Sequence, residues 1–191
     1  MFHTSFLAPP NGWLAPGASL LLRGLIGWLA PVAVLAACGG DAEPAADAGA
    51  PAIEIGSGDS AFEALVDGED IFVVQGPQGG FHLLGSFAAT GVEPGNPEML
   101  GDPDNPTMTF RVLTGASRVD IVEANTFTQG LEPVAGTGGV GKVGRLVILD
   151  IADDAELDGV EIRFEVDITD VHGATASDAR MLMAVPHPAN L

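Results

Sequence analysis

The side chains able to do chemistry in this chain are one thiol, four histidines, several clusters of carboxylates and a few scattered serines. The densest cluster is Asp153-Asp154-Ala155-Glu156-Leu157-Asp158-Gly159. Counted from Asp154, acids fall at positions one, three, five and twelve (Asp154, Glu156, Asp158, Glu165), with Gly159 at six. That spacing is close to the calcium loop of an EF-hand. Position three is Glu where the motif takes Asp or Asn. From Val160 the chain also alternates apolar and polar residues, which predicts a strand carrying Glu165 away from the turn at roughly 3.3 Å per residue. What remains is a looser oxygen-ligand site for calcium built from Asp150, Asp153, Asp154 and Asp158, set against a solvated acidic turn. Asp102-Pro103-Asp104-Asn105 is a second acidic stretch, and its prolines and Asn mark it as turn chemistry.

Two histidines have suggestive neighbours. His82 closes Gly76-Pro77-Gln78-Gly79-Gly80-Phe81-His82, a loop whose glycines and proline suit a hairpin connection. Gln78 and His82 are its candidate ligand-facing side chains; the other reading is that both brace the corner by hydrogen bonds. His172 lies in Asp170-Val171-His172-Gly173, and with His82 and an Asp it could hold zinc or assist hydrolysis, although no spacing joins the two histidines. Ser57, Ser60, Ser86, Ser117 and Ser177 sit in no nucleophile-elbow context. Gly136-Thr137-Gly138-Gly139-Val140-Gly141-Lys142 lacks the Ser or Thr that follows Lys in a phosphate loop, and reads as a hairpin loop. The expectation is a protein without a catalytic set.

Cys38 is the only cysteine. It ends Leu35-Ala36-Ala37-Cys38, after the apolar run from Gly24 and the single basic residue Arg23 of the preceding stretch. The arrangement resembles the lipobox of bacterial lipoproteins. The resemblance implies diacylglycerol on the Cys38 sulfur, removal of residues 1–37 as a signal peptide, and attachment to a membrane of the cell envelope. Gly39 in the position after Cys38 implies the outer membrane. Acylation also accounts for a solitary cysteine in an exported chain. Each buried methylene contributes about 0.8 kcal/mol, so two or more long chains hold a protein durably where one does not. Residues 38–52, rich in Ala, Asp, Glu, Pro and Gly, are too poor in large apolar groups to fold and form a disordered tether.

All 26 acidic residues lie beyond Cys38, with six of the seven basic ones, for a formal charge of −20. Nucleic acid is excluded as a partner, because its recognition relies on Lys and Arg against phosphate.

From residue 53 the pattern has period two. Val160-Glu161-Ile162-Arg163-Phe164-Glu165-Val166-Asp167-Ile168 alternates strictly, and Met108, Phe110 and Val112 alternate with Thr107, Thr109 and Arg111. Further strands are expected at 71–75, 81–87, 118–123, 143–149 and 179–185, with a helical turn at 60–66 that points Phe62 and Leu65 inward. The predicted fold class is all-β: one antiparallel, immunoglobulin-like β-sandwich over residues 53–191. The Trp and disulfide hallmarks of true immunoglobulin domains are missing. The Asp-Val-His-Gly turn resembles the closing hairpin of many bacterial immunoglobulin-like domains, where the Asp orders the turn. Residues 62–82, with Phe62, Leu65, Asp67, Gly68 and the Gly-Pro-Gln-Gly-Gly-aromatic-His motif, resemble uncharacterised envelope lipoproteins, a likeness that implies no activity. The expected function is a non-catalytic binding or structural module at the envelope surface, with a protein or glycan partner and no cofactor. A calcium-dependent adhesion domain is the alternative, and a hydrolase the remoter one.

Overall fold

The computed structural model describes residues 49–115, 119–122 and 126–190. Cys38 and most of the expected tether lie outside the described residues. The described chain is all-β. Its strands are β1 (Ala52–Ser57), β2 (Glu63–Ala64), β3 (Asp70–Gln75), β4 (Phe81–Thr90), β5 (Thr107–Thr114), β6 (Val119–Asp120), β7 (Thr126–Thr128), β8 (Glu132–Pro133), β9 (Val140–Leu149), β10 (Val160–Thr169) and β11 (Thr175–Pro186). A 3₁₀ turn spans Asp154–Glu156.

Backbone pairing builds two layers that share β3. In one, β9 runs along one edge of β4, while the opposite edge carries β3 at Phe81 and His82 and β1 at Ser86–Thr90. In the other, β5, β10 and β11 are antiparallel neighbours. β3 joins the layers by pairing in parallel with β11, so the sheet is mixed where a purely antiparallel one was expected. The inward faces of both layers meet in one core containing Ile55, Leu83, Phe87, Phe110, Val147, Phe164 and Leu182, the arrangement of a sandwich.

Strand alternation explains which residues reach that core. In β10, Ile162, Phe164, Val166 and Ile168 are buried and the intervening charged residues lie on the other face, as the period-two pattern requires. The charged face pairs with itself: Arg111 with Glu165 and Asp167, and Arg163 with Glu165. Beside it Thr107 and Thr109 hydrogen-bond across to Thr128 and Thr126, each at 2.9 Å.

β11 breaks its own alternation. Asp178 and Arg180 lie opposite Val166 and Phe164, on the side that should be apolar. Here β11 abuts β1 and the chain leaving β2. Asp178 accepts the Ile55 N–H (2.9 Å), and Arg180 donates to the Leu65 carbonyl (2.9 Å) and to Asp178. The pair bridges a seam that no backbone ladder closes.

The expected helical turn over residues 60–66 is absent. Glu63 and Ala64 pair instead with Ser57 and Gly56 of β1, because Gly56 leaves room for the Phe62 ring. A Cβ on Gly56 would lie 2.4 Å from that ring. Leu65 is buried as expected. β1 begins at Ala52, so the end of the expected tether is strand, paired with Thr90.

Candidate binding cleft

β1 and β3 occupy the same edge of β4 but diverge, and among the described residues Leu83–Gly85 between them have a strand partner only on the β9 side. The wedge between them is a cleft of about 580 Å³, within the size range of ligand pockets. Leu84, Phe72, Val74, Ile71 and Leu65 supply apolar lining; Ser57, Gly58 and Asp59 of the β1–β2 turn and Glu63 of β2 form one wall. Asp59, Glu63, Glu69 and Asp70 place four carboxylates around it, and His187 is the one other ionisable side chain lining it among the described residues.

Alternation extends the apolar surface beyond the cleft. Leu84 lies opposite Leu146 and His82 opposite Ile148 on the outer face of this layer. Phe72 is 48% exposed, Leu146 53% and Ile148 46%. Single exposed apolar residues are ordinary, whereas a group of neighbours marks an interaction surface. The outer face of the β5–β10 layer, polar and self-paired, is the contrast.

Two devices hold the walls. Ser86, fully buried, donates its hydroxyl to the Gly58 carbonyl (3.2 Å) and accepts the Gly144 N–H (3.0 Å), fixing the β1–β2 turn. On the other side the C-terminal segment straps β3. His187 N–H and Asn190 Nδ2 both donate to the Val73 carbonyl (2.9 Å each), Asn190 Oδ1 accepts the Gln75 N–H (2.9 Å), and the His187 ring meets Phe72 edge-on at 5.3 Å. Sequence reasoning missed this strap: Pro186-His187-Pro188-Ala189-Asn190 follows the last alternating stretch and carries no periodic signal of its own.

The structure scatters the residues singled out from the sequence. The Gly76–Gly80 corner is closed by backbone bonds, Gly79 N–H to the Gly76 carbonyl and Gly76 N–H to the Gly80 carbonyl (3.0 Å each). Among the described residues neither the Gln78 nor the His82 side chain makes a hydrogen bond, so the corner does not depend on them. Gln78 is exposed at the loop. His82 is half-buried between Val74 and Ile148, and this burial lowers its pKa from the ordinary 6.5, favouring the neutral ring.

Of the four calcium candidates, Asp153 caps the 3₁₀ turn by accepting the Ala155 N–H (2.9 Å), while Glu156 reaches back to the Ala152 and Asp153 N–H groups. Asp154 accepts from Asn190 Nδ2. Asp150 follows β9, its N–H on the Ile121 carbonyl (2.7 Å), and Asp158 is exposed beside Gly159. Among the described residues no three His, Cys, Asp or Glu side chains gather as a metal-binding group. Glu165 is committed to arginines on the far strand face.

Asp170 proves to be the organiser of the last hairpin. It is 7% exposed. One oxygen accepts His172 N–H (2.9 Å) and Ala174 N–H (2.8 Å), and the other accepts Glu93 N–H from a separate loop (2.9 Å). Burial alone would raise its pKa; the N–H groups of Glu93, Ala174 and His172, with the His172 charge, outweigh it, and the net shift is below the ordinary 3.8. As pH falls the unfolded chain takes up this proton first. The stabilisation is therefore complete above about pH 3.8 and drains away as pH drops through the lower folded value. Asp170→Asn should be less stable than the parent at pH 6, and the gap should shrink as pH drops below 3.8. Urea unfolding at a series of pH values measures it; a gap that does not change with pH contradicts the assignment.

Among the described residues no helix is long and apolar enough to cross a membrane. Comparison of the chain with protein-family models, with curated proteins and with solved structures gives no match in any of the three.

Proposed function

We propose that this chain is an envelope lipoprotein, anchored by lipid on Cys38, whose β-domain is a non-catalytic binding module working through the cleft between β1 and β3. The observation that carries the binding reading is the apolar cleft with its exposed extension over Leu146 and Ile148. Its polar groups favour binding over catalysis, because several already serve the fold. His187 Nδ1 accepts the Ala189 N–H (3.2 Å), Glu69 accepts the Val66 N–H (3.0 Å) and Asp59 accepts the Ser60 hydroxyl (2.9 Å). The anchor rests on the lipobox resemblance of Leu35-Ala36-Ala37-Cys38, and the outer membrane on Gly39. The sandwich arrangement supports an immunoglobulin-like reading as architecture alone, and architecture confers no activity.

Two measurements test this. Intact mass of the protein extracted from membranes should equal the chain from Cys38 onward plus a diacylglyceryl group; a full-length chain with a free thiol refutes the anchor. A photo-crosslinking residue at position 146 should trap a partner in intact envelopes, while the same residue at position 119 should not. Equal or absent trapping at both positions removes the cleft from the reading.

A further inference from the structure

We propose that the cleft's occupant is an extended segment of another protein, added as a strand against β3, with apolar side chains alternating along it and Lys or Arg beside them. This rests on the binding-module reading above and names its ligand.

The strand geometry comes from β3. Its odd-numbered residues direct backbone groups toward β11 and the C-terminal strap: Met183 N–H reaches the Glu69 carbonyl (2.8 Å), His187 N–H the Val73 carbonyl, and Gln75 N–H reaches Asn190. Backbone groups alternate along a strand, so those of Asp70 and Phe72 face the cleft. Among the described residues no strand pairs with that side of Asp70–Val73, since β3 meets β4 only at Val74 and Gln75. An edge left open beside an apolar surface is a template for a further strand, in which main-chain bonds hold the guest and alternate side chains fill pockets. Phe72, Val74 and Leu84 offer the apolar contact for those side chains.

The charge of the guest follows from the host. Asp59, Glu63, Glu69 and Asp70 line the cleft, with no Lys or Arg lining it among the described residues. A second copy would bring a further formal charge of −20, carried on residues 38–191, to the same rim and be repelled. A basic, partly apolar segment is attracted, and the attraction should weaken with salt.

The test uses the anchored protein in detergent and a random dodecapeptide library displayed on phage. Enriched sequences should carry Lys or Arg with apolar residues at alternate positions. A synthetic peptide of the enriched sequence should bind the parent about tenfold or more tighter than Phe72→Thr, a substitution at a half-exposed site that spares the core. Its binding should slow hydrogen exchange at the Phe72 amide. Enrichment of acidic or neutral sequences, affinity indifferent to Phe72→Thr, no enrichment, or a dimer of this chain filling the cleft would each overturn the proposal. Trapping of a partner at position 146 alongside such a failure would leave the binding module standing with a different ligand.

Discussion

Phe110→Ala is expected to remove about 3–5 kcal/mol of folding stability, a large share of the roughly 5–15 kcal/mol that holds a domain together. Phe110 is 1% exposed and central to an aromatic cluster. Its ring stacks on Phe164 (5.5 Å between centroids) and Phe127 (6.3 Å), with Phe87 tilted against it at 6.2 Å. Aromatic pairs of this kind add about 0.5–1.5 kcal/mol beyond the area they bury. The site is also shaped for that ring: Gly85 lies beneath it, and a Cβ there would come within 3.0 Å of the Phe110 ring. With glycine below and rings on three sides, little can collapse into the space left by truncation. Urea denaturation should show a lower midpoint with an unchanged slope. A loss under about 1 kcal/mol would mean that the two layers do not share this core.

Gly141→Ala is expected to be at least as damaging, for the opposite reason. Gly141 is buried in β9, where a Cβ would stand 1.9 Å from the Phe87 carbonyl oxygen and 3.0 Å from Val134. The obstacle is backbone, so β4 and β9 would have to separate, breaking the ladder that runs from Phe81–Leu149 to Ala89–Val140. A cost above about 4 kcal/mol belongs to this kind of exceptional site. Gly138→Ala is the informative comparison. Nothing lies within 4 Å of its missing Cβ, but its φ of +72° lies in the left-handed region, which costs about 1–2 kcal/mol. Thermal melts should therefore rank parent, Gly138→Ala and Gly141→Ala in falling order. A Gly141→Ala protein that melts with the parent would show the β4–β9 approach to be looser than described.

These two glycines also show how far the sequence could be read. Gly136–Gly141 looks like one uniform hairpin loop by composition, yet only its first part is turn, and Gly141 is strand packed on backbone. Composition reports flexibility; it does not report which glycine another chain must pass. The long strands were legible because β5 and β10 each bury one face against a single core, and such burial writes period two into the sequence. The short strands β2, β7 and β8 were not, since two or three residues carry no period and exist only because a longer neighbour offers an edge. Asp170 was legible through the turn it organises, although its reach to Glu93 across 77 residues was not.

The cleft was the hardest feature to foresee. Leu146-Val147-Ile148-Leu149 is a continuous apolar run, and the sequence does not say that Leu146 and Ile148 face outward. Likewise His82 was singled out for its loop, whereas its place is on the apolar outer face beside that loop. The four carboxylates around the cleft all fall between Asp59 and Asp70, but their irregular spacing matches no ligand motif, and nothing in it says that they face one cleft.

The central claim is that β3 presents an open edge to this cleft. Residue-resolved hydrogen exchange on the free protein tests it directly. The Ile71 and Val73 amides, turned toward β11, should exchange slowly, and the Phe72 amide between them should exchange orders of magnitude faster. Phe72 protected to the same degree as its two neighbours would mean that the edge is already filled, and would contradict the account.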